Sequence, residues 1–171
     1  MIVEFSETIP ETYKQEAYII SGTNSLPLNR REFVIIKNDS NEIQLVGVIH
    51  YQYHCSPFKE AIIVDNLLAV GHENHFYLFD TNVLQNLITL EVKGYFGHLY
   101  FEDNLLYITS ASCLYCINKT GQVLWQVDSL AVDGIIINHF AEGKIYISCE
   151  LDPPDGWKEF IIDRNNGSLI I

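Results

Sequence analysis

The chain has few positive charges, few helix signals, no long apolar run and no complete metal or catalytic motif. Lysine and arginine number 10 in 171 residues, against 22 aspartates and glutamates, for a formal charge of −12 at pH 7. A field of that sign repels phosphate, which argues against nucleic acid and against anionic membrane surfaces as partners. No apolar run approaches the roughly 20 residues of a membrane-spanning helix. The first residues, Met1-Ile2-Val3-Glu4-Phe5-Ser6-Glu7, carry acids where a secretory signal carries Lys or Arg. A cytoplasmic protein is the expectation. Pro10 to Glu16 allows one short helical turn with Thr8 as its cap, and Val83 to Leu90 has an ambiguous apolar pattern.

The chemistry-bearing residues are scattered. Cys55, Cys113, Cys116 and Cys149 are the four cysteines, and without a secretory signal they do not suggest a disulfide framework. Cys113 and Cys116 form a C-x-x-C, but residues three apart on a strand point to opposite faces. On a strand from Ser112 to Asn118 the two sulfurs cannot share one metal, and no second pair completes a zinc set. They read as small core residues. His50 and His54 flank Tyr51-Gln52-Tyr53, and His72 and His75 flank Glu73-Asn74, with no third ligand at useful spacing. His54 and Cys55 are adjacent, so on a strand they point apart, and an acidic chain is a poor setting for a thiolate. No Gly-rich phosphate loop, G-x-S-x-G or H-E-x-x-H occurs. The expectation is a protein without catalytic residues, metal or cofactor.

What the chain does have is a repeat. Asp65-Asn66-Leu67-Leu68 returns as Asp103-Asn104-Leu105-Leu106, and Phe79-Asp80 as Ile117-Asn118, both 38 residues on; Tyr107 and Tyr146 are 39 apart. Each unit reads as four strands. The first strands are Ala61 to Val64, His98 to Phe101 and Gly134 to Ile137. Turns follow at Asp65-Asn66, Asp103-Asn104 and Glu142-Gly143, residues that tolerate positive φ. The second strands are Leu67 to Gly71, Leu105 to Ser110 and Lys144 to Cys149. The third are Phe76 to Asp80, Cys113 to Asn118 and Lys158 to Asp163. The fourth are Leu87 to Val92, Gln122 to Val127 and Ser168 to Ile171. A divergent earlier unit has Met1 to Phe5 first, Ala17 to Ile20 second, Phe33 to Lys37 third and Ile43 to Ile49 fourth. The apolar first strands suggest burial on both faces.

The run Leu114-Tyr115-Cys116-Ile117-Asn118-Lys119-Thr120-Gly121-Gln122-Val123-Leu124-Trp125 resembles the repeat of quinoprotein-type β-propellers, which reads Leu-Tyr-Ala-Ile-Asp, Thr-Gly, Leu-Trp. Phe160 to Gly167 is a looser match, and the period is similar to that of WD-repeat propellers, without their Trp-Asp pair. The resemblance implies blades and no cofactor, because the carboxylate site of the quinone enzymes has no counterpart here. The expected fold is all-β, a propeller-like array of about four antiparallel four-stranded units in one domain, residues 1–171. Two forms fit: a closed four-bladed propeller, or an open half-propeller whose sheet edges pair in a homodimer or with another chain.

The most partner-like segment is Glu150-Leu151-Asp152-Pro153-Pro154-Asp155-Gly156-Trp157, an insertion relative to the preceding unit. Its prolines lower the entropy lost on docking, and a Trp flanked by acids suits a basic protein surface. The partner-binding candidates are Glu150, Asp152, Asp155 and Trp157, with Asp128 and Asp133 behind them. The insertion Thr23 to Arg31, with Pro27 and Arg30-Arg31, belongs to the equivalent rim. Two functions follow. One is an immunity protein that captures a cationic toxin, such as a nuclease, by charge steering and blocks its active site. The other is a propeller-like scaffold or regulatory subunit of a larger assembly.

Overall fold

The computed structural model describes residues 1–21, 30–51, 58–152 and 156–170. The insertion at 23–29 with Pro27, the His54–Cys55 pair, Pro153, Pro154, Asp155 and Ile171 lie outside the described residues. The described chain is all-β, in four sheets. The first holds β1 (Ile2–Ser6), β2 (Tyr18–Ile19), β3 (Arg30–Lys37) and β4 (Ile43–Tyr51). The second holds β5 (Lys59–Val64), β6 (Leu67–His72), β7 (His75–Asp80) and β8 (Gln85–Glu91). The third holds β9 (Phe96–Glu102), β10 (Leu105–Ser110), β11 (Leu114–Asn118) and β12 (Val123–Val127). The fourth holds β13 (Ile135–Ala141), β14 (Lys144–Glu150) and β15 (Trp157–Asp163). In the last three sheets the strands follow one another in chain order.

The repeat is carried by its turns. Asp103 and Asn104 both take positive φ, as do Glu142 and Gly143, and Asp65 does so at the equivalent place. Each of the last two turns joins directly paired residues, Glu102 to Leu105 and Ala141 to Lys144, the geometry a two-residue hairpin demands. A second recurring turn follows each third strand. There the side chains of Asn38, Asp80, Asn118 and Asp163 accept hydrogen bonds from backbone amides two to four residues on. Such side chains mimic a backbone turn. The amide or acid of the repeat is therefore a hairpin device.

Three features differ from the sequence reading. First, the strand order of the first sheet is β1-β3-β4-β2, with β2 parallel to β4. The segment Ala17 to Ile20 is not the second strand; β1 pairs with β3 in that place, because the β3–β4 hairpin offers a full edge for five pairs. Second, the first strands are not the most buried. β5 has no fully buried residue, whereas β6 is buried throughout and β7 through its centre. A first strand lies at a sheet edge with one neighbour, while the middle strands are packed on both sides. Third, Ser168 to Ile170 makes only one bridge, Leu169 to Ile162, so the fourth sheet has three strands among the described residues. The ambiguous Val83–Leu90 segment is resolved as a strand, β8, with alternating exposure.

Packing density divides the chain into two units. One is Met1–Cys55, Ala61–Val70 and Tyr77–Leu90; the other is Ser56–Glu60, Gly71–Phe76 and Glu91–Ile171. In the first, β3 and β4 feed two clusters by simple alternation. Val34, Ile36, Leu45 and Ile49 pack on one side with Ile20, Leu68 and Phe79, and Phe33, Ile35, Val46 and Val48 on the other. In the second, Tyr107, Leu114, Cys116, Ile135, Ile145, Ile147, Cys149 and Ile162 form the core. Gly71 is required there, since a Cβ would overlap the Phe96 ring, which is itself fully buried. Gly71→Ala is expected to cost about 1–3 kcal/mol of stability, read as a lower urea midpoint; an unchanged midpoint would contradict this packing.

The three cysteines among the described residues are core residues. Cys113, Cys116 and Cys149 are buried free thiols. Burial pushes the Cys116 thiol up to about 11 and the Cys149 thiol up to about 12, from 9.0. Between those values the unfolded chain has released thiol protons that the native chain still holds. Stability is therefore complete below pH 9 and lost as pH rises through 11, at about 1.4 kcal/mol per pH unit for each thiol. Unfolding midpoints measured from pH 8 to 11 should fall steadily above 9. A flat profile would contradict the burial of these thiols.

Candidate functional site

Repeats stack so that equivalent positions of successive units touch within the second unit. Glu60 on β5 meets His98 on β9, 38 residues on: its Oε1 lies 2.6 Å from His98 Nδ1. The Leu99 amide donates to Glu60 Oε2 at 2.8 Å. Tyr95, just before β9, meets Asp133, just before β13, again 38 residues on. Its hydroxyl donates to the Asp133 carbonyl at 2.6 Å and lies 3.0 Å from the Asp133 carboxylate. Burial first, and then Asp133 and the nearby Glu150 charge, push the Tyr95 hydroxyl up to about 12. It stays protonated and remains a donor across the physiological range.

Tyr95, His98 and Asp133 of these pairs line a cleft of about 440 Å³ together with Phe58, Glu150 and Trp157, with Gly97, Ser110 and Gly134 to Ile136 completing its walls. Phe58 and Trp157 are among the exposed large apolar side chains, as are Ile136 and the neighbouring Val132. The exposed apolar side chains of Phe58, Ile136 and Trp157 and the carboxylates of Asp133 and Glu150 give the cleft a mixed apolar and acidic lining. Register explains the juxtaposition. Glu150, the last residue of β14, is the direct cross-strand partner of Trp157, the first of β15, and directly opposed side chains share a face. The backbone of Glu150 is fastened to one segment by two hydrogen bonds, its amide to the Gly134 carbonyl at 3.0 Å and its carbonyl to the Val132 amide at 2.7 Å. That clamp brings Asp133 beside it.

Among the sequence candidates, Glu150, Asp133 and Trp157 thus come together. Asp152 does not line the cleft; its carbonyl accepts from the Gly156 amide at 2.8 Å and closes the base of the loop. Asp155 is outside the described residues. Asp128 lies elsewhere and is occupied: its carboxylate is 2.9 Å from Lys93 Nζ and accepts from the Cys113 thiol at 3.2 Å. The hydrogen bond from Lys93 holds that carboxyl below its ordinary range. Phe58, Glu60, Tyr95 and His98 were not singled out from the sequence. The signal that would have found two of these pairs is the repeat itself, since Glu60–His98 and Tyr95–Asp133 are each one period apart.

Neither a protein-family model nor a curated protein sequence matches the chain. Solved structures do. BamB from Moraxella catarrhalis aligns at a TM-score of 0.55 and 12% identity over 81% of this chain and 42% of its own. A KlHsv2 variant with its loop 6CD replaced by a Gly-Ser linker aligns at 0.54 and 11% over 81% and 45%. Sqt1 from Saccharomyces cerevisiae aligns at 0.52 and 16% over 78% and 39%. These are β-propeller proteins, and the likeness at this identity is one of fold. The fold of the chain is propeller-like, built of three- and four-stranded, mainly antiparallel sheets. It spans less than half the length of each of these three structures.

Proposed function

We propose that this chain is a non-catalytic protein-interaction module, acting as a scaffold or regulatory subunit, whose partner presents a basic surface to the cleft at Tyr95, Asp133, Glu150 and Trp157. The observation that carries the reading is the coincidence of exposed aromatic area with carboxylates in one concavity. The formal charge of −12 supports it at longer range, since complementary charge speeds encounter and suppresses wrong partners. The propeller neighbours favour a scaffold in general. The narrower reading, an immunity protein that neutralises a cationic toxin nuclease, is supported by charge alone and ranks second.

The test is a pull-down from native extract with the wild-type chain and Trp157→Ala as parallel baits, at low and high salt. The reading predicts a basic protein that is retained by wild type, weakened by salt and lost with Trp157→Ala. Retention of the same proteins by both baits at both salts would overturn it. Toxicity of the captured protein when expressed alone would move the immunity reading to first place.

A further inference from the structure

Two carboxylates line the cleft, those of Asp133 and Glu150, and a third, Glu60, is bonded to the lining residue His98; they are not equivalent. Both oxygens of Glu60 are engaged, by His98 and by the Leu99 amide. Asp133 has the Tyr95 hydroxyl. Glu150 is only 9% exposed, lines the cleft, and its carboxylate has no hydrogen bond or ion pair among the described residues. A carboxylate on a mostly buried side chain with no counter-charge leaves its acceptor sites open to a cationic donor. The Glu150 backbone is bonded through both its amide and its carbonyl to the Val132–Gly134 segment. Its cross-strand partner Trp157 is 42% exposed, and Phe58, 40% exposed, lines the same cleft.

We infer that the cleft is a pocket for a single arginine side chain of the partner, with Glu150 receiving the guanidinium and Trp157 stacking on its plane. This rests on the protein-interaction reading above. The choice of arginine over lysine follows from the geometry of the lining. A guanidinium is flat, weakly hydrated and carries five donors, so it stacks on a ring while forking onto a carboxylate. A lysine ammonium is a strongly hydrated point charge that gains less from flat walls. With Asp133 also lining the cleft, spare donors have a second acceptor. A cleft of about 440 Å³ admits one long side chain with its flanking backbone and is small for a folded element.

The experiment is titration of the full chain with acetylated, amidated Gly-Arg-Gly and its lysine and citrulline versions, followed by calorimetry and tryptophan fluorescence. Citrulline keeps the shape and removes the charge. The inference predicts that the arginine peptide binds at least tenfold more tightly than the citrulline peptide and severalfold more tightly than the lysine peptide. Glu150→Gln, which conserves shape, should erase the arginine–citrulline difference, and Trp157→Leu should weaken the arginine peptide at least tenfold. Equal binding of arginine and citrulline, equal binding of arginine and lysine, or unaltered arginine binding by Glu150→Gln would each overturn it. The two readings fail separately. If a basic partner is captured through Trp157 but the arginine peptide does not displace it, the arginine pocket is wrong and the interaction module stands. If the arginine peptide binds through Glu150 while no basic partner is captured, the pocket stands and the partner reading fails.

Discussion

Trp157→Ala is expected to lower affinity for the basic partner at least 100-fold, about 3 kcal/mol, while leaving stability nearly unchanged. The argument is one of placement. Trp157 opens β15 opposite Glu150, is 42% exposed and does not belong to the core cluster beneath it. The free protein therefore has little packing to lose, and surface truncations away from the core usually shift stability by less than about 0.5 kcal/mol. The complex has much to lose, because aromatic anchors in partly enclosed sites carry a large share of binding energy. Calorimetry with purified partner, beside a thermal melt of each protein, separates the two effects. Loss of stability without loss of affinity would mean that Trp157 packs its own sheet and contacts nothing else.

Arg164→Met is expected to destabilise the fold by about 2–4 kcal/mol, with the source of that loss open to dissection. Arg164 Nε donates to the Tyr107 hydroxyl at 2.8 Å, and Tyr107 is fully buried. The guanidinium lies over the Tyr107 and Phe140 rings at 5.8 and 5.5 Å. Its Nη1 reaches Asp103 at 2.6 Å, but Asp103 is 73% exposed. Exposed ion pairs are worth about 0–1 kcal/mol, so the buried hydroxyl and the ring contacts should dominate. Asp103→Asn is accordingly expected to cost less than about 1 kcal/mol. Urea unfolding of both variants checks the ranking. Equal losses would mean that the ion pair, not the buried hydrogen bond, holds Arg164 in place.

Much of the fold was legible because its devices are local. Turn residues such as Asp103-Asn104 announce hairpins by their tolerance of positive φ, and Asn118 and Asp163 recur because each folds its own turn. The first sheet was misread because β2 is only two residues long and pairs in parallel, and no local signal specifies that partner. Burial of the first strands was misread because apolar content does not tell an edge strand from a central one. In the site, Glu150 and Trp157 stood out by composition, but their cross-strand pairing depends on the length of the loop between them. Tyr95 and Glu60 were hidden because each is ordinary alone. Only the 38-residue spacing to Asp133 and His98 gives them meaning, and spacing becomes contact only when units stack.

The most direct measurement of the central claim is the salt dependence of affinity for the captured partner, compared between wild type and Glu150→Gln. If the cleft receives a positive charge, wild-type affinity falls as salt rises, and Glu150→Gln binds at least tenfold more weakly with a shallower dependence. Identical affinity and identical salt dependence in the two proteins would place the partner elsewhere on the acidic surface and contradict the assignment of this cleft.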